Sequence, residues 1–215
     1  MDIDKQLLKL KEDCKAFFKD IYKFQDNLIV FGQGNPKASL VLVGEAPGKQ
    51  EVLMQMPFVG KAGENLDEFL HILGKDRRDI YITNVVKFRP VKIKDQTVAT
   101  GRISNRAPNR EEIELSRGWL YKEINIIKPD VLVSLGNIAL KALAQDESLT
   151  IGQVHGRQIE PKSGIFIEDV MLFPLYHPAS VIYRRDLRET YIEDIGKLRI
   201  FLMDKDRGKV LLSGS

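Results

Sequence analysis

The sequence predicts a three-layer α/β/α sandwich around a central, mainly parallel four-stranded sheet. Three observations predict it. Short apolar runs such as Leu40–Val43 and Val131–Leu135 read as buried strands. Segments with apolar residues at helical spacing alternate with those runs. Glycine and proline mark the joins, most densely at Gly44-Glu45-Ala46-Pro47-Gly48. Strand–helix alternation is the pattern of a parallel sheet covered by helices on both faces.

Taken in order, Asp4 to Asp26 reads as a helix, with Leu7, Leu10, Cys14, Phe17, Phe18 and Ile21 at helical spacing. Leu28–Phe31 reads as a short strand, and Gly32–Pro36 as a turn into the first central strand, Leu40–Val43. Leu66, Phe69, Leu70 and Leu73 lie on a helix that stops at Gly74. Asp79–Thr83 is the second central strand, with Asn84 at its end. Val91 to Asn109 reads as a long loop, of which 91–104 looks like a basic insertion. Asn109 is placed to cap the next helix, with Glu111 and Glu112 favourable in its first turn. Val131–Leu135 is the third strand, followed by Gly136 and a helix through Leu143. Thr150–Asp169 reads as a β-rich excursion, Val170–Leu175 as the last strand, and the stretch carrying Tyr191, Ile195, Leu198 and Phe201 as the last helix.

The bulk numbers bound the class. A length of 215 residues suits a single domain, 1–215, with a sizeable core. No apolar run is long enough to span a bilayer. Met1-Asp2-Ile3-Asp4-Lys5 lacks the charge pattern and apolar core of a signal peptide, and Cys14, the single cysteine, has no partner for an internal disulfide. A reducing, cytoplasmic setting and a monomer are the expectations. The net charge of +3 permits nucleic-acid binding without arguing for it.

In open α/β sheets, ligands bind outside the carboxyl ends of the strands. Those ends carry Gly44–Gly48, Asn84, Gly136 and His177. The glycine turn is not a P-loop, because Gly60-Lys61-Ala62 lacks the hydroxyl that would hold magnesium. Nor does it carry the Gly-x-Gly-x-x-Gly dinucleotide signature. Lys87, Arg89, Lys92, Lys94, Arg102 and Arg106 set six positive charges against Asp95, a pattern that fits either a solvated loop or a phosphate-contacting flap.

Seven stretches carry a resemblance: Phe31-Gly32-Gln33-Gly34-Asn35-Pro36, Val43-Gly44-Glu45-Ala46-Pro47-Gly48, Pro57-Phe58-Val59-Gly60-Lys61-Ala62-Gly63, Tyr81-Ile82-Thr83-Asn84-Val85-Val86-Lys87, Asn105-Arg106-Ala107-Pro108, Lys128-Pro129-Asp130 and His177-Pro178-Ala179-Ser180. In this order they resemble the uracil-DNA glycosylase superfamily, most closely its family 4. The resemblance implies excision of uracil from DNA in base excision repair, with the base flipped into a pocket. Phe58 is then the stacking platform, Asn84 reads the base edge, and the backbone of Gly44, Glu45 and Ala46 adds contacts. His177 is placed to donate a hydrogen bond to uracil O2 as negative charge develops there. Two carboxylates, Glu45 and Glu51, are available to handle the attacking water or offset charge on the sugar. Expected DNA contacts are Lys87, Arg89, Lys92, Lys94, Arg102, Asn105 and Ser180. Excision of another deaminated base, such as hypoxanthine, and a non-catalytic uracil- or nucleic-acid-binding module are the alternatives.

The chain departs from the pattern at two places. Other glycosylase families place an aspartate at the position of Ala46, where it handles the attacking water, and family 4 commonly lacks it. The larger departure concerns the cluster cysteines. Family 4 holds a four-iron, four-sulfur cluster on four cysteines, and here those positions are Cys14, Phe17, Phe88 and Ser116. One thiolate cannot hold such a cluster, so no cofactor or metal is expected and apolar packing is expected instead.

Overall fold

The computed structural model describes residues 2–22, 28–94, 102–162, 164, 166, 170–184 and 186–213. Helix α1 (Ile3–Tyr22) leads to β1 (Gln33–Gly34) and β2 (Leu40–Gly44). Helices α2 (Lys49–Met54) and α3 (Lys61–Leu73) follow, then β3 (Tyr81–Asn84). A hairpin of β4 (Val91–Lys94) and β5 (Arg102–Asn105) precedes α4 (Arg110–Ile127). The chain continues through β6 (Val131–Leu135), α5 (Asn137–Ala144), α6 (Ile151–Val154), β7 (Met171–Leu175), α7 (Pro178–Tyr183) and α8 (Leu187–Ser213).

The expected four strands form the parallel part of the sheet, in the order β3-β2-β6-β7, and β1 adds an antiparallel edge beside β3. Register sets the functional edge. Gly44 pairs with Asn84, and Leu135 with Leu175, so the strands stop nearly level. The order reverses between β2 and β6, and such a switch point opens a crevice at the carboxyl ends.

Every residue of β2 and β6 is buried, because helices cover both faces. Strand alternation sends Val41, Val43 and Leu132 to one face, against Leu10, Cys14 and Phe18 of α1, Leu120 and Ile124 of α4, and Leu140 of α5. It sends Leu40, Leu42 and Val133 to the other, against Leu66, Phe69 and Leu70 of α3 and Ile195 and Leu198 of α8. These are the three layers.

Helix ends follow the sequence signals. Gly74 closes α3 at φ 73°, a left-handed turn that suits glycine. Asn109 starts α4 with a reciprocal cap: its Oδ1 accepts from Glu112 N at 2.8 Å, and Glu112 Oε2 accepts from Asn109 N at 2.8 Å.

Three readings need correction. The long loop from Val91 is in its described part the β4–β5 hairpin, with Ile93 opposite Ile103; residues 95–101 lie outside the described residues. The alternation Val-Lys-Ile-Lys was a strand signal hidden by its charge. The stretch from Thr150 opens instead with α6, because Gln153 Oε1 accepts from Thr150 N and Oγ1 at 3.1 and 2.7 Å and starts a helical turn. Its β character reduces to one bridge, Ile159 with Leu172, among the described residues. Leu28–Phe31 likewise gives only a bridge from Ile29 to Phe88, and α1 is described to Tyr22, with 23–27 outside the described residues. Among the described residues no helix is long and apolar enough to cross a membrane.

Candidate active site

Beyond β2 the chain turns at Gly44, and β3 zips onto that turn: Val85 N donates to Gly44 O at 2.9 Å and Val86 N to Glu45 O at 3.0 Å. Gly44 has to be glycine. A Cβ there would collide with Asn84 Oδ1 and with the Phe58 ring at Cζ. The missing side chain thus lets an amide and an aromatic ring meet over bare backbone. Asn84 is only 3% exposed.

Phe58 sits between α2 and α3 with φ 53°, left-handed geometry that is unusual for a bulky residue. Its ring lies 5.8 Å from the His177 ring at an interplanar angle of 28°. His177 follows β7 and caps α7: its Nδ1 accepts from Ala179 N at 3.1 Å. An Nδ1 that accepts carries no proton, so the neutral ring bears its hydrogen on Nε2 and is a donor there. Burial pushes the His177 pKa down from 6.5 to about 4, against a smaller opposing pull from Glu51. At neutral pH the side chain is therefore an uncharged N–H donor.

These groups share a cavity of about 400 Å³ lined by Ala46, Glu51, Phe58, Asn84, Asn105 and His177, among others. The two candidate carboxylates separate here. Glu51, on α2, lines the cavity, and its Oε1 accepts from Gly60 N at 3.1 Å. Glu45 is half-buried beside Gly44 and does not line it; burial raises its carboxyl pKa.

The expected DNA contacts divide as well. Lys87 is not a surface cation: it is fully buried. Its Nζ donates to Glu123 Oε2 at 2.6 Å, Thr83 Oγ1 at 2.7 Å and the Asn84 carbonyl at 2.9 Å. Glu123, also fully buried, accepts in addition from Tyr81 Oη at 2.8 Å, Thr83 Oγ1 at 2.8 Å and Gly32 N at 3.1 Å. A buried charge survives only when paired and hydrogen-bonded, and this pair meets that condition. The Lys87 ammonium therefore braces the end of β3 from below instead of reaching a phosphate. Glu123 was missed in the sequence. Its signal was a carboxylate on the apolar stripe of α4, between Leu120 and Ile127.

Arg89 and Asn105 meet at the rim, where Arg89 Nε donates to Asn105 Oδ1 at 2.6 Å. Lys92 is exposed on β4, and Lys94 and Arg102 pair in the hairpin backbone, their side chains lying outside the described residues. Arg106, one of the six basic residues, is tied by both terminal nitrogens to Glu112 at 2.7 Å. Ser180 N donates to His177 O at 2.8 Å in the first turn of α7.

The positions of the family's cluster ligands form a different environment. Cys14 is fully buried and its thiol pKa is pushed up to about 12, chiefly by burial. Ser116 Oγ is buried with no hydrogen-bond partner among the described residues. Phe18 packs edge-on against Phe17 at 5.1 Å and Phe88 at 5.2 Å, and Phe17 lies 5.4 Å from Trp119. Among the described residues, no group of three or more His, Cys, Asp and Glu could hold a metal ion. One protonated thiol, an alcohol and two phenyl rings do not fit an iron–sulfur cluster.

Comparison with known proteins gives a consistent set. The family model described as "Uracil DNA glycosylase superfamily" matches residues 31–196. A "Type-4 uracil-DNA glycosylase" of Archaeoglobus fulgidus is 40% identical over 182 residues, 83% of this chain and 84% of the relative. Proteins of the same description from Pyrobaculum aerophilum and Sulfurisphaera tokodaii are 36% and 35% identical. The first match covers 91% of this chain and 92% of the relative, the second 90% and 83%.

Proposed function

The chain belongs to the uracil DNA glycosylase superfamily, and from that premise we propose how its cavity performs the type-4 uracil-DNA glycosylase reaction. The observation that carries the reading is the meeting of Asn84, Phe58 and Gly44, with His177 against the same ring. A flipped uracil enters the cavity and lies against Phe58. The Asn84 amide accepts from uracil N3–H and donates to O4 at once. Cytosine reverses both groups, so its binding would leave buried polar atoms unpaired, a mismatch that is strongly rejected. The Lys87–Glu123 pair supports the carbonyl of Asn84, which steadies the reading side chain.

When the bond from C1′ to N1 breaks, its electron pair moves into the uracil ring and charge gathers on O2. His177 Nε2–H donates to that oxygen. A neutral donor suffices, because the donor stabilises developing charge without giving up its proton. Water adds to C1′ of the sugar and gives up one proton, and the departing uracil anion takes up one proton to leave as the free base, so atoms and charge balance. We assign the orientation of the water to Glu51, the carboxylate that lines the cavity, with Gly60 N–H holding one of its oxygens. Arg89, Asn105 and the hairpin lie on the rim side where phosphates would run, and the protein acts as a monomer in this reading.

The test uses duplexes carrying uracil, hypoxanthine or a thymine mismatch, scored for abasic sites, with wild type and Asn84→Asp. Abasic sites from uracil alone, falling by about a thousandfold or more in the variant, are expected for a site whose hydrogen bonds select the base. Excision of hypoxanthine in preference to uracil, or full activity of Asn84→Asp on uracil, would refute the reading.

A further inference from the structure

We propose that Arg77 is a positioning residue for base excision, holding the Phe58 backbone in the left-handed conformation that presents its ring to the base. The inference rests on the role given to Phe58 above.

Phe58 is the residue whose backbone needs an explanation. At φ 53° a phenylalanine occupies a region where its Cβ crowds the adjacent carbonyl, and such geometry persists only when the surroundings over-determine it. Arg77, in the segment between α3 and β3, supplies the constraint. Its Nη2 donates to Phe58 O at 2.6 Å and to Gly63 O at 3.4 Å, and its Nη1 reaches Pro57 O at 3.5 Å. Its Nε donates to Asp67 Oδ1 at 2.6 Å, which fixes the fork from behind. One planar group thus gathers two carbonyls of the turn that carries Phe58 and a third in the first turn of α3. Gly63 completes the arrangement, since a Cβ there would collide with Phe58 O.

Arg77 does not line the cavity, so it can act on the base only through Phe58. Its neighbour Arg78 provides an internal control. Arg78 is exposed and its guanidinium pairs with Asp76 at 2.7 Å. A lysine at 77 would keep the charge but not the planar fork, and could not serve the same carbonyls together.

Single-turnover excision with saturating enzyme separates positioning from folding. The wild type must excise uracil under the same conditions; if it does not, the function reading fails and this inference is not what failed. With active wild type, Arg77→Ala and Arg77→Lys should each lose roughly ten- to hundredfold in rate, the scale of a small misplacement of a reacting group. Affinity for abasic-site DNA should stay near the wild-type value, and Arg78→Ala should be unaffected in both. Millimolar guanidinium chloride should restore part of the Arg77→Ala rate, while ammonium chloride at equal ionic strength should not. Wild-type rates in Arg77→Lys would overturn the proposal. So would a loss in Arg77→Ala that follows the unfolded fraction in a melting curve and gains nothing from guanidinium.

Discussion

The cavity at the strand ends and the aromatic packing around Cys14 stand on the same frame but are held in opposite ways. In the cavity each group has a directional constraint. Gly44 is bare so that Asn84 and Phe58 can meet, His177 is fixed through Nδ1, and Lys87 braces the Asn84 carbonyl. Around Cys14, rings from Phe17, Phe18, Phe88, Tyr22 and Trp119 meet edge to face, tilted and stacked, with no single geometry demanded. Packing of that kind asks for volume and apolarity, and volume-conserving exchanges are tolerated best. The difference explains how phenyl rings at the positions that the resemblance assigns to cluster cysteines leave the geometry around Asn84, Phe58 and His177 undisturbed.

The contrast is sharpest in what a single truncation does. In the proposed mechanism His177→Ala removes a donor that acts on developing charge. We expect a loss on the order of a hundredfold to a thousandfold in single-turnover rate, with DNA affinity little changed. Phe88→Ala, at the other region, should cost about 3–5 kcal/mol of stability by opening a cavity in the core. Its excision rate per folded molecule should stay near the wild type, as measured below the shifted melting temperature. A large catalytic loss in fully folded Phe88→Ala would break the comparison, because it would couple the two regions.

A smaller effect concerns pH. His177 has its pKa lowered from 6.5 to about 4 by burial. Excision should therefore persist as pH falls below 6.5 and change only as it passes through about 4, where Nδ1 takes a proton, can no longer accept from Ala179 N, and the ring loses the bond that orients it. The sign for stability follows from the same shift. Between about 4 and 6.5 the unfolded chain holds this proton and the folded chain does not. The group's contribution is complete above 6.5 and is lost as pH falls toward 4. The difference in unfolding free energy between wild type and His177→Gln should slope across that window, and a flat difference would mean a ring that titrates normally.

Much of this was legible in the sequence because it is written in local patterns. Leu40–Gly44 and Val131–Leu135 are buried throughout, so their apolar runs announced strands. Asn109 and Glu112 announced a helix start with two side chains three residues apart. Other features depend on partners distant in the chain. Lys87 lies 36 residues from Glu123, and in a basic stretch it read as a surface cation. The three carbonyls gathered by Arg77 leave no side-chain signature at all. Two residues of β1 are too short for any periodicity, and only pairing with β3 makes them a strand. Nothing local separates Glu45 from Glu51; the turn after Gly44 and the start of α2 decide which reaches the cavity.

The most direct measurement joins the two regions: uracil excision by purified protein whose iron content and visible spectrum are recorded on the same sample. We expect a colourless protein without stoichiometric iron that converts uracil-containing duplex to abasic sites, at a rate unchanged by prolonged treatment with a strong chelator. A broad visible absorption band tracking with iron, and activity lost when the iron is removed, would contradict the claim that aromatic packing around Cys14 has taken the place of the cluster.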